Sequence, residues 1–518
     1  MGVLKKIFTF VWICARVAYI DELFYYNNKL KKMVMKFKIL LMILFPTFST
    51  ILFGQSIKRI DGSKITVDSL NAKIKYLMKI ANVSGVAIAV FNDNKPIFNK
   101  TYGLANVQKN ISFEKTSVMY GASLAKMVFA YIAMQYVQEK IIDLDKPLVQ
   151  YLSKPLPEIK INGFRRGYHD LKDDKRYEKI TARMCLTHTT GFPNWRWFEE
   201  DKKLKIKFEP GTRYSYSGEG LYLLQFVIEQ LTGKDYETIS QERVFKPLAM
   251  TNTSQVWQTR FDSSICYGHN AKGEPYELMK WKEASAGGSM STTFEDFTKF
   301  YTELISGKGL SKKSFKEMTS QQIRIKSRSQ FGPLSKIDNT DNDNIQLGYG
   351  FGVGTFTTPF GRAFFKEGHD DGWGHYSICF PDKKIAVVIM TNNDNGESIF
   401  KEFLAYSIGD IYTPWRWENY IPYNYIPPPV VNIYQVTTED LDKYLGIYNS
   451  KQLPIKISIT KNNLNLIAQA TGQNALTLQA TEKDKFSYED EGIILEFSPI
   501  NKTMILKQNG QIFSFTKE

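Results

Sequence analysis

Apolar positions switch between helical and strand spacing along this chain, and the switches outline its elements. From 62 to 80 they recur at helical intervals (Leu70, Ile74, Leu77, Met78), with Ser69 as the expected cap. Residues 85–91 are continuously apolar, as in a buried strand. Asn92-Asp93-Asn94 supplies a turn and 95–102 returns, which predicts a β-hairpin. From 123 a long apolar run (Met127, Val128, Phe129, Ala130, Tyr131, Ile132) predicts a buried helix reaching 139–140. Further helices are expected from Leu221 to a stop at Gly233, over 295–304 and over 396–408. Strand-like runs occupy 363–368, 376–380 and 385–390, the last two turned at Pro381-Asp382. The Gly-x-Gly run at 348–354 opens no helix, so it reads as a twisted or bulged strand rather than a nucleotide loop. Beyond 439 short alternating segments recur (455–459, 464–468, 477–480, 493–497, 504–508), the pattern of a small antiparallel β-barrel.

At 518 residues the chain exceeds one ordinary domain, and 43% hydrophobic with 23% charged residues describes a globular protein with a core. The expected division is an N-terminal extension and signal peptide over 1–54, a main domain over 55–411, a Pro/Tyr-rich linker over 412–436, and the barrel over 437–518. The fold class is α+β: an antiparallel sheet flanked by helices plus an all-helical lobe, followed by the small antiparallel β-barrel. The signal peptide is read from Met35-Lys36-Phe37-Lys38, the apolar run 39–53 and the small Gly54. This places the mature protein in the periplasm or outside a bacterial cell. The true start is Met1, Met33 or Met35. The rival reading is an uncleaved anchor, the only expected contact with a membrane.

Net charge is +14, of which residues 1–54 carry +6 through eight Lys/Arg against two Asp/Glu. The remainder is modest, and no helix-turn-helix, zinc-finger or aromatic RNA motif accompanies the basic runs at 202–207 and 324–328, so no nucleic-acid partner is expected. Cys14 precedes the signal, leaving Cys185, Cys266 and Cys379. Three widely spaced cysteines make neither a disulfide framework nor a zinc site.

The chemistry centres on Ser123-Leu124-Ala125-Lys126. Residues three apart share a helix face, so Lys126 lies beneath the Ser123 hydroxyl, where desolvation lowers its pKa and lets it exchange a proton. Alone, Ser-x-x-Lys usually marks a capped helix. Tyr216, in a glycine- and serine-flanked loop before a helix, is a second candidate base, its pKa expected to be lowered by nearby lysines. Lys366 ends an apolar strand and is followed by Glu367-Gly368, where glycine beside a strand edge admits a substrate backbone. His369, Asp370 and Asp371 alternate across a strand and do not share an ion, so neither metal nor other cofactor is expected. His188 reads as structural, its ring fixing a loop.

Ser123-x-x-Lys126, Tyr216-Ser217-Gly218 and Lys366-Glu367-Gly368, in that order, resemble the three motifs of class C β-lactamases and of the related D,D-peptidases and esterases, the penicillin-recognising serine hydrolases. Residues 142–147, 186–191, Pro210-Gly211 and 287–292 resemble the same family, and the match spans about 65–410. The barrel resembles the lipocalin-like domain often appended to such enzymes. The resemblance implies an acyl-enzyme on Ser123, with Lys126 and Tyr216 sharing the base role and Lys366 supporting Tyr216. It also implies an oxyanion hole from the N–H groups of Ser123 and His369, and a small-molecule or peptide substrate bound along Gly218, Glu367, Gly368 and His369. Some relatives use His-x-Gly, which would make His369 the cation but leave Asp371 where glycine belongs. Two departures stand out. Gly218 replaces a common Asn that binds an acylamino group, and Glu367 replaces Thr, setting a carboxylate where a hydroxyl would help hold the substrate's carboxylate. Both argue against efficient β-lactam hydrolysis. They also motivate a second reading, a silent relative that binds cell-wall peptide.

Overall fold

The computed structural model describes residues 56–161, 167–199, 201–426, 430–453, 455–471, 475–508 and 511–518. The expected signal peptide and the extension before it lie outside the described residues. Among the described residues no helix is long and apolar enough to cross a membrane.

Strands β1 (Ser56–Lys58) and β2 (Lys64–Thr66) pair ahead of the helix Val67–Ile80. That helix starts later than the apolar spacing implied. Thr66, not Ser69, is its cap, accepting from the Ser69 N–H at 3.1 Å. β3 (Gly85–Asn92), β4 (Lys95–Asn106), β5 (Ile111–Ser112) and β6 (Val118–Tyr120) lead to the helix Leu124–Gln138. A helical stretch follows, including Ala182–Leu186 and Gly218–Thr232. Then come β7 (Ser291–Thr293), the helices Phe294–Ile305 and Lys312–Thr319, and β8 (Ile323–Arg324). The Gly-x-Gly run resolves into β9 (Gly348–Tyr349) and β10 (Gly354–Thr358), split by a turn in which Gly352 has φ +69°. β11 (Gly361–Asp370), β12 (Trp373–Phe380), β13 (Ile385–Thr391) and the helix Phe400–Ser407 complete this part.

Nine strands form one antiparallel sheet in the order β5-β4-β3-β13-β12-β11-β10-β9-β8. Both faces are covered, which is why the central strands read as unbroken apolar runs rather than alternating ones. In β3, Ala87, Ala89 and Phe91 join the helices of the lobe, while Val86, Ile88 and Val90 join a second cluster with the helices Val67–Ile80 and Phe400–Ser407. Cys185, Cys266 and Cys379 are buried and unpaired, and burial pushes each thiol upward.

The first half of the expected linker packs into the core of the main domain. Trp415, Trp417 and Tyr420 are buried in the second cluster, and Trp415 packs 5.1 Å from the Tyr376 ring of β12. A Pro/aromatic composition reads as a connector until the rings find a sheet to cover. Beyond it, β14 (Gly446–Asn449), β15 (Lys456–Asn462), β16 (Asn465–Ala470), β17 (Leu476–Glu482), β18 (Lys485–Tyr488), β19 (Ile493–Ser498), β20 (Thr503–Gln508) and β21 (Gln511–Lys517) close into an eight-stranded barrel. Its interior is filled by side chains, among them Tyr444, Phe486, Phe497 and Phe515.

Candidate active site

Ser123 stands where β6 turns into the helix Leu124–Gln138. β6 pairs with β7, and Gly121 N–H donates to Met290 O at 2.7 Å. A Cβ on Gly121 would lie 2.7 Å from the end of the Met290 side chain and 3.1 Å from Met290 O, so glycine lets the two strands approach closely. Ala122 takes φ +45°, an uncommon conformation for a residue with a side chain and one that collects at functional turns. Ser123 occupies the cap position, but its hydroxyl makes no capping bond. The capped-helix explanation of Ser-x-x-Lys is thereby removed. The Leu124 N–H is the first to bond back into the turn, to Gly121 O, leaving the Ser123 N–H ahead of it.

The helix is apolar all round and buried, and it carries Lys126 inside with it at 1% exposure. The ammonium donates to Ser123 Oγ at 2.9 Å and to Gly287 O, which follows from β7 pairing beside β6. Burial, and then the charge of Lys366, hold the Lys126 pKa well below the usual lysine range. The shift makes the free amine easier to reach than for an ordinary lysine.

Tyr216 is set by a buried loop. Ser217 caps the helix Gly218–Thr232, accepting from Gly220 N–H at 3.0 Å and donating to Pro193 O at 2.9 Å. His188 packs its ring 4.4 Å from that of Tyr216, and its Nδ1 accepts from Ser217 N–H at 3.2 Å. Burial pushes its pKa well down, so it is a neutral wedge beneath the phenol. The Tyr216 hydroxyl accepts from Lys366 Nζ at 3.2 Å and hydrogen-bonds with Ser123.

Lys366, on β11, is fully buried and donates at 2.7 Å to Glu367 Oε1, which also accepts from Gln330 Nε2 at 2.7 Å. Glu367 is therefore turned onto Lys366 rather than offered to a substrate carboxylate. This ion pair blunts the cation's effect on the phenol. Burial raises the Tyr216 pKa, Lys366 lowers it and Glu367 raises it, and the outcome is upward. The expected lowering of the Tyr216 pKa is corrected: burial outweighs the pull of Lys366, and the phenol is held in its neutral form.

Gly368 faces the catalytic turn, where an added Cβ would lie 3.3 Å from Leu124 and 3.4 Å from Gly121 O, so its smallness lets β11 approach Ser123. β10 pairs with β11 only as far as Phe365, which leaves the edge from Lys366 to Asp370 open on that side. The His369 side chain turns outward to Glu397, with Nδ1 at 2.8 Å from Oε1, and this partner pushes its pKa up to about 9. Lys366, not His369, is thus the cation beside the phenol. Among the described residues no three His, Cys, Asp or Glu side chains are placed to hold a metal.

Gly218 has a reason the sequence did not disclose. A Cβ there would lie 2.1 Å from the Trp195 ring. The run Trp195-Arg196-Trp197-Phe198 went unremarked, although three aromatics around one arginine in a loop were a signal. Phe331 was missed too; it sits edge-on 5.2 Å from Tyr216.

Sheet, helical lobe and a serine gripped by a buried lysine are features of the serine-hydrolase class. A family model described as Beta-lactamase matches residues 70–405, and the chain belongs to that family. It is 22% identical over 346 residues to a D-aminopeptidase of Gluconobacter oxydans (64% of this chain, 60% of that one). It is 26% identical over 278 residues to a lovastatin esterase of Penicillium rubens (45% and 69%). The chain thus spans somewhat under two thirds of the length of the first of these relatives. An octameric penicillin-binding protein homologue from Pyrococcus abyssi shares the fold, with TM-score 0.54, 17% identity, and coverage of 87% of this chain and 100% of that one.

Proposed function

We propose that this chain is an exported serine hydrolase that cleaves an ester, amide or peptide bond through an acyl-enzyme on Ser123. The reading is carried by the Lys126 Nζ to Ser123 Oγ contact of 2.9 Å inside a buried helix start, with the Tyr216 phenol on the same hydroxyl. The basic start and apolar run of residues 35–54 support export.

With Lys126 deprotonated, the 2.9 Å contact runs from hydroxyl to amine. Ser123 Oγ attacks the substrate carbonyl and its proton passes to Lys126 Nζ. The carbonyl oxygen becomes an oxyanion, received by the N–H groups of Ser123 and His369. The intermediate collapses, the carbonyl–leaving-group bond breaks, and the leaving group takes a proton from Lys126 through the Tyr216 hydroxyl, which is reprotonated as it donates. Water then attacks the acyl-enzyme and gives its proton to Lys126, the acyl–Oγ bond breaks, the acid leaves, and Ser123 Oγ takes that proton back from Lys126. Burial keeps the resting phenol neutral, and Glu367 offsets part of the opposing pull of Lys366.

The names of the two curated relatives, a D-aminopeptidase and an esterase, support hydrolysis at a carbonyl. The test is labelling with a fluorophosphonate or a fluorescent penicillin. Wild-type protein is expected to label and Ser123→Ala to fail. No labelling of the wild type, or equal labelling of both, overturns the reading in favour of a silent relative that binds peptide.

A further inference from the structure

We propose that the acyl part of the substrate is received by an aromatic wall built on Trp195, so that the favoured substrates are esters or amides of acids with an apolar aryl or branched-alkyl group. This deepens the hydrolase reading and rests on it.

The Trp195 indole fills the notch where a polar side chain would otherwise project from the start of the helix Gly218–Thr232. A Cβ on Gly218 would lie 2.1 Å from its ring, and one on Gly287 would lie 2.4 Å from it. Gly287 is the residue whose carbonyl accepts from Lys126, and Lys126 Nζ lies 5.5 Å from the Trp195 ring centroid. The indole is therefore an immediate neighbour of the catalytic amine. An apolar face stands where an amide would have bound an acylamino group, so a peptidyl acid loses its hydrogen bond and a hydrocarbon gains a wall.

The wall continues outward. Trp197 stacks on Trp195 with centroids 4.8 Å apart and planes 8° apart, and Phe198 meets Trp197 edge-on. Trp197 is 36% exposed and Phe198 70%, a contiguous aromatic surface left to water that leads outward from Trp195. Its placement is fixed from below. Arg196 points inward, and its guanidinium takes both oxygens of Glu219 at 2.9 and 2.7 Å, with side chains only 3% and 0% exposed. One buried ion pair thus fixes the backbone between Trp195, packed inward, and Trp197, turned to water.

The experiment compares kcat/KM for p-nitrophenyl acetate, phenylacetate, isovalerate and N-acetylglycinate. Phenylacetate and isovalerate are expected to exceed acetate by roughly tenfold or more, and N-acetylglycinate to gain nothing over acetate. Trp197→Ala, which alters an exposed ring, is expected to lower the phenylacetate-to-acetate ratio severalfold, and Trp195→Phe to lower it further. A flat profile in protein that still labels at Ser123 overturns the aromatic subsite and leaves the hydrolase reading standing. So does a preference for N-acetylglycinate, or a ratio unmoved in both variants. Failure to label at Ser123 overturns both.

Discussion

At the scale of single residues, the decisive arrangement is one carboxylate among two lysines and a phenol. Lys126 accepts the Ser123 proton only when unprotonated, so labelling is expected to fall as pH drops through its lowered pKa and to level off above it. Burial and Lys366 lower that pKa, while Glu367 raises it. Glu367→Gln removes the raising charge and keeps an acceptor for Lys366, so the acid limb should move to lower pH. The check is the rate of fluorophosphonate labelling against pH. An unmoved limb would show that the carboxylate is not felt at Lys126. Ser123, Lys126 and Lys366 were legible because their spacing is local to one helix turn or one strand. The protonation of Tyr216 was not, because it depends on how Lys366 divides its charge with Glu367, a matter of side-chain direction that spacing does not encode.

At the scale of elements, the loop bearing Trp195 and Trp197 depends on Arg196 and Glu219. Removing one partner leaves the other charge buried, so Glu219→Ala should cost about 3–5 kcal/mol in urea unfolding. A loss below about 1 kcal/mol would mean that water reaches the guanidinium. The strands of the central sheet were legible because two covered faces leave an unbroken apolar signature, as in β3 and β13. Boundaries were less so: Thr66 and Ser69 are both good caps, and only the β2 pairing decides between them. The depth at which Trp415 and Trp417 pack was not legible, since nothing within residues 412–429 records that β12 lies beneath them.

At the scale of the molecule, the segment 327–338 joins the parts. Gln330 reaches Glu367, Phe331 flanks Tyr216, Ser329 donates to Asn419 at 2.8 Å, and Arg328 pairs with Glu489 of the barrel at 2.6 Å. The last pair is largely exposed on the glutamate side, so Glu489→Arg should change stability by less than about 1 kcal/mol. It should nonetheless raise amide hydrogen exchange in 327–338. Unaltered exchange would mean that Trp417 and Asn419 hold the segment without the barrel.

Among the described residues the three buried thiols lie in different places: Cys185 on a helix of the lobe, Cys379 on the central strand β12, and Cys266 on the loop beside β6. None meets an alkylating reagent while its surroundings stay closed. Their modification therefore keeps separate time for the opening of each region, and the order in which they react ranks those regions by local stability.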